Sequence, residues 1–80
     1  MSNPILSIED LTDRAGLLYC HAAEFYDPET ESVGGFGLAE SCANLAGLGE
    51  QFRRDYGSAD QWNGTLIDFG EFIHWAHNLG

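Results

Sequence analysis

The feature that most constrains this chain is a row of apolar side chains at helical spacing through its first third. Ile8, Leu11, Ala15, Leu18, Ala22 and Phe25 follow one another in alternating three- and four-residue steps. That spacing puts them on one stripe of a helix spanning residues 8–26. A stripe of this kind needs apolar partners, and two later patterns supply them. Residues 38–56 carry Leu38, Cys42, Leu45, Leu48 and Phe52 at the same period, with Ala39, Ala43 and Ala46 beside them. Residues 65–79 carry Leu66, Phe69, Ile73 and Ala76, extended back by Trp62. The pattern predicts a mainly α fold, a single compact domain of three helices over residues 1–80.

Local signals mark where these helices start and stop. Ser7 followed by Asp10 is a capping-box variant, and Glu9, Asp10 and Asp13 then fall in the first turns, where the helix dipole favours anions. Pro28 ends the helix, because the residue before a proline avoids the α region. Tyr56 and Gly57 read as a C-cap. Ser58 with Gln61 reads as a second capping box, opening a single turn that Asn63 and Gly64 interrupt. Gly34, Gly35 and Gly37 imply left-handed backbone or close approach, and a short strand or hairpin near residues 32–37 suits them. Their spacing is not the dinucleotide fingerprint, and a chain without Lys offers no phosphate loop. Gly16, Gly47 and Gly49 weaken their helices, which close helix–helix crossings would explain.

Charge narrows the function more than the fold. The 80 residues hold 13 Asp and Glu against three Arg and no Lys, for a net charge of −10. The first 40 residues carry eight of the acids and one Arg. Such a field repels nucleic acid and anionic membranes and attracts basic surfaces. Direct nucleic-acid or membrane binding is therefore disfavoured, and a basic nucleic-acid-binding protein becomes the natural partner. No secretory leader and no membrane-length apolar run are visible, so a cytoplasmic protein is expected. Cys20 and Cys42 fall inside helical patterns and are expected to be reduced, buried structural thiols.

Neither metal nor catalytic chemistry is well supported. Glu71 and His74 form one Glu-x-x-His, with His77 three residues on, but di-iron bundles need a second copy. Both histidines fall in the last turns of a helix, where an imidazolium suits the dipole. Cys20, Cys42, His74 and His77 match no familiar zinc spacing. Cys20 and His21 are neighbours on a helix and point about 100° apart, the wrong geometry for a nucleophile–base pair. A non-enzymatic protein with no cofactor and no metal is expected.

Two surfaces remain. Glu24 and Asp27 crowd the negative end of the first helix, with Glu29 and Glu31 just beyond, each at a cost of a few tenths of a kcal/mol, about 0.3, against the dipole. A solvated loop accounts for such a run; so does an interaction patch, since carboxylates one turn apart are about 5–6 Å from each other, comparable with successive phosphates on a strand. The second surface is aromatic. Trp62, Phe72 and Trp75, with Leu79, exceed what one stripe needs, and either fill the core or bind a partner, a homodimer included.

Small size, acidity, the absence of Lys and the acidic helix-to-loop surface together resemble phage-encoded anti-CRISPR inhibitors of the DNA-mimic type. The resemblance is one of overall character across the whole chain and carries no motif. It implies stoichiometric binding, without catalysis, to the basic groove of a Cas surveillance complex or nuclease in the host cytoplasm. The contacts it implies are Glu24, Asp27, Glu29 and Glu31, with Glu9, Asp10 and Asp13 as a second cluster. Nuclease-immunity proteins are also small, acidic and helical, but none of their characteristic segments is present.

Overall fold

Thr12 caps the first α-helix. The computed structural model describes residues 8–79. A 3-10 turn, Ile8–Asp10, leads into α1, Asp13–Ala22, and the Thr12 hydroxyl accepts the Ala15 amide at 3.3 Å. The expected cap, Ser7, lies outside the described residues. Past Ala22 the backbone tightens into a second 3-10 turn, Ala23–Phe25, and Pro28 then prevents any continuation. Four further helices follow: α2 (Phe36–Leu45), α3 (Gly49–Tyr56), α4 (Ala59–Trp62) and α5 (Phe69–Asn78).

The fold is mainly helical, as the periodicity requires, but the helix expected over residues 38–56 is two helices. Gly47 takes a φ of +76°, a conformation a side chain disfavours, and the chain turns there. The Leu48 amide reaches back to the Ala43 carbonyl at 2.7 Å and closes the break. The interruption resets the helical phase. In α2 the buried face is Phe36, Ala39, Cys42 and Ala43, while Leu38 and Leu45, expected inside, are 42% and 62% exposed. Leu48 and Phe52 do reach the core, because they lie beyond the break. α1 and α2 pack together, and Ala15, Leu18 and Ala22 of α1 share the core with Ala39, Cys42 and Ala43 of α2.

The other glycine expectations fail for local reasons. A Cβ on Gly16 would meet nothing within 4 Å, so no close crossing accounts for it. A Cβ on Gly49 would meet the Asn44 side chain rather than α1. Gly57 behaves as expected: its φ is +87° and its amide bonds the Arg53 carbonyl at 3.0 Å. The Ser58 amide then donates to Gln61 Oε1 at 2.8 Å, the carboxamide half of a capping box.

A short ladder ties the loop after α1 to the segment before α5. Val33 N–H donates to the Ile67 carbonyl at 3.0 Å, Ile67 N–H to Gly34 at 2.8 Å and Phe69 N–H to Glu31 at 2.9 Å. Ser32 bridges Asp27 on one side and Asp68 on the other. The expected strand near residues 32–37 is thus limited to isolated bridges among the described residues, and Phe36 already belongs to α2. The ladder also delays α5, which begins at Phe69 with Asp68 as its cap and leaves Leu66 outside, 47% exposed. At the far end Thr12 N–H donates to His77 Nδ1 at 3.3 Å. These two ties hold α1 and α5 side by side in opposite directions.

Phe52 sits at the centre of the core. Its ring meets Phe36, Tyr56, Phe72 and Trp75 at centroid distances of 5.0, 4.5, 5.7 and 5.9 Å. Leu18, Val33, Leu48, Ile67 and Ile73 complete the buried volume. The radius of gyration is 11.6 Å, close to the value of about 12 Å for a compact chain of this length.

Candidate interaction surface

The antiparallel α1–α5 pair has one acidic end, built from the C-terminus of α1 and the N-terminus of α5. Asp27 organises the turn there. Its Oδ1 accepts the Glu29 amide at 2.9 Å, its carbonyl accepts the Glu31 amide at 2.7 Å, and its own amide donates to Ser32 at 2.8 Å. Ser32 is 2% exposed and its hydroxyl lies 2.7 Å from that of Thr30, anchoring the turn from below. Glu24, Asp27, Glu29 and Glu31 all stand exposed. The turn's bonds tie Asp27 to Glu29 and Glu31, while Glu24 lies in the 3-10 turn before it.

Glu31 is held in an unusual backbone state, with a φ of +55°. A non-glycine residue in the left-handed region costs about 1 kcal/mol. Its carbonyl is needed by Phe69, so the ladder fixes the conformation while the carboxylate projects into solvent. Glycine would fit this backbone with less strain, yet the position carries a charge.

The protein's own cations lie elsewhere. Arg53 pairs with Glu40 at 3.3 Å, and Arg54 grips Asp55 at 2.9 and 3.1 Å. Arg14 lies toward the opposite end of α1. Among the described residues, no ion pair within 4.0 Å involves residues 24–31. The acidic end gains two members that sequence reasoning did not include. Asp68 sits across the ladder from Ser32 and caps α5 by accepting the Glu71 amide at 2.9 Å; Glu71 occupies the first turn of α5. The α5 dipole explains both. It does not explain Glu24, Glu29 or Glu31. The signal for the pairing is long-range, and only the Asp-x-x-Glu cap at Asp68 was visible locally.

Glu9, Asp10 and Asp13 do not join this group. They mark the N-terminal end of α1, one α1 length away, about 15 Å. Asp10 has an interaction of its own there, and Asp13 stands in the first turn, where the dipole suits it. The second cluster read from the sequence thus lies at the opposite end of α1 from Glu24.

The aromatic surface largely faces inward. Phe72 is fully buried, and Trp62 and Trp75 are half-buried against the core. The Trp62 indole donates to the Tyr56 carbonyl at 2.8 Å and the Trp75 indole to Asp55 Oδ2 at 2.7 Å. Burial pushes the Tyr56 hydroxyl well above its ordinary value, and the charges of Glu71, Asp55 and Asp68 add to the shift. The Asp55 carboxyl is held down at about 2, first by the Arg54 hydrogen bonds and then by Trp75. Both indole donors are thus already satisfied, as a buried tryptophan requires.

The thiols divide. Cys42 is buried as expected, and burial raises its thiol pKa with a smaller contribution from Glu24; Cys20 is exposed, against expectation. His77 accepts the Thr12 amide through Nδ1 at 3.3 Å, which ties the last turn of α5 to the start of α1. Among the described residues no three His, Cys, Asp or Glu side chains converge as a metal site, and no helix is long and apolar enough to cross a membrane.

Comparison with family models, with curated proteins and with solved structures finds no match to this chain.

Proposed function

We propose that the chain is a non-enzymatic inhibitor that binds the basic nucleic-acid-binding surface of a partner protein through the acidic end of its α1–α5 pair. The observation that carries this is the state of Glu24, Asp27, Glu29 and Glu31. Asp27, Glu29 and Glu31 lie on one closed turn with Glu24 in the 3-10 turn just before it; all four are exposed, and Arg53 and Arg54 pair with Glu40 and Asp55 instead. A merely solubilising surface has no need to put Glu31 in left-handed backbone. The anti-CRISPR resemblance makes a Cas surveillance complex in the host cytoplasm the partner of choice, with target-DNA access blocked by occupation of its groove. Glu9, Asp10 and Asp13 serve as a second contact for a groove long enough to reach both ends of α1.

The test is capture of partners on immobilised protein from a CRISPR-bearing bacterial host, followed by elution with salt. A basic nucleic-acid-binding protein is expected in the eluate, since attraction between opposite charges weakens with ionic strength. The combined variant Glu24→Gln, Asp27→Asn, Glu29→Gln and Glu31→Gln should lose it while keeping the wild-type helical spectrum. Asn is chosen at position 27 because it retains the acceptor that closes the turn. Equal capture by the variant refutes the proposal.

A further inference from the structure

The turn that leaves α4 holds the chain's one Asn-Gly pair, Asn63 and Gly64; the other three asparagines precede Pro4, Leu45 and Leu79. Asn63 closes the four-residue α4 in left-handed backbone, with φ 41° and ψ 52°, and its own amide bonds the Ala59 carbonyl at 3.0 Å. Gly64 follows at φ +84°, where a Cβ would meet nothing within 4 Å. Both residues are exposed. Among the described residues no acceptor takes the Gly64 amide and no partner holds the Asn63 carboxamide. The other two described asparagines are placed differently. The Leu45 amide after Asn44 lies within the hydrogen-bonded turns of α2, and the Leu79 amide after Asn78 donates to the Ala76 carbonyl at 3.1 Å.

We infer that Asn63 is a site of self-modification, at which its carboxamide is converted to a carboxylate through a cyclic imide formed with the Gly64 nitrogen. Asparagine is among the thermolabile side chains, and three conditions decide which one reacts. The following backbone nitrogen must be free to lose its proton, no side chain may block its approach, and the backbone must be able to rotate into the attack. An amide outside any hydrogen bond meets the first, and glycine meets the other two. In the step itself the Gly64 nitrogen bonds to Asn63 Cγ, the Cγ–Nδ2 bond breaks, and Nδ2 leaves as ammonia with the proton that Gly64 gives up. Water then adds to one of the two imide carbonyls and breaks its bond to the nitrogen. Opening at Cγ leaves an ordinary aspartyl residue; opening at the main-chain carbonyl leaves an isoaspartyl link, one carbon longer. No oxidant or reductant takes part: one water is consumed and one ammonia released. Either product adds a negative charge to a chain already at −10. The isoaspartyl form also lengthens the turn that the Thr65 amide closes on the Trp62 carbonyl at 2.7 Å.

Incubation of the full chain at mildly alkaline pH and physiological temperature tests this, followed by isoelectric focusing and peptide mapping. Wild type should accumulate a species more acidic by one charge, with an equal amount of ammonia released. Tandem mass spectra should place both aspartyl and isoaspartyl products at position 63, and an isoaspartyl methyltransferase should methylate the aged chain and not the fresh one. Asn63→Gly suits the left-handed backbone and removes the carboxamide, so it should remain a single species and take up no methyl group. Wild type that stays unchanged while an unstructured Asn-Gly peptide in the same tube reacts fully overturns the inference. So does conversion that maps to Asn44 or Asn78 in place of Asn63, or equal acidification of Asn63→Gly.

Discussion

The acidic turn after α1 and the aromatic cluster around Tyr56 make opposite use of their functional groups. In the aromatic cluster both indoles are answered from within, that of Trp62 by the Tyr56 carbonyl and that of Trp75 by Asp55, and Asp55 is held by Arg54. At the acidic end Asp27 alone uses its carboxylate to build the turn, while Glu24, Glu29 and Glu31 face solvent. Both regions stand out in the sequence, one by its aromatic surplus and one by its charge. The difference teaches that a surplus of aromatic residues in so short a chain is core material first, because 80 residues have little else to bury. Surplus charge has no such inward use.

The widest separation between the two regions should come from Phe52→Ala. Removing a ring that meets four others should cost about 3–5 kcal/mol, read from denaturant midpoints. The four-carboxylate variant of the acidic end should unfold at or above the wild-type midpoint, since it relieves repulsion and removes no buried contact. A large loss from the acidic variant would erase the contrast.

Smaller gains sharpen it. Gly16→Ala should stabilise by about 1 kcal/mol, because its Cβ enters open space in the middle of α1. Glu31→Gly should stabilise by a similar amount, about 1 kcal/mol, by relieving left-handed strain, and should at the same time weaken capture of a basic partner. Stabilisation without any loss of binding would mean that Glu31 is not a contact.

The smallest effect is in acid. The folded Asp55 carboxyl titrates at about 2, below its ordinary 3.8, so its contribution is complete above the ordinary value and disappears as pH falls toward about 2. Wild type should therefore lose slightly more stability over that interval than Asp55→Asn. Parallel curves would remove the Arg54–Asp55–Trp75 chain from the account.

What could be read from the sequence was what depends on neighbours. The helical class, the Gly57 cap and the turn at Asn63 and Gly64 follow from residues next to one another. Phase across a break could not be read. The pattern from Leu38 to Phe52 is continuous in the sequence, but Gly47 rotates its two halves apart and turns Leu38 and Leu45 outward. Pairings between distant segments were also hidden. Nothing near Asp68 announces that it will stand opposite Ser32, and nothing near His77 announces that it will take the Thr12 amide.

The account turns on whether the exposed carboxylates of residues 24–31 are what a cationic protein grips. The direct measurement is the affinity of wild type and of the four-carboxylate variant for the captured basic partner, each followed across a series of salt concentrations. The account predicts a steep fall with salt for wild type, and for the variant weak binding with a markedly shallower dependence. Equal affinities with parallel salt dependences would contradict it.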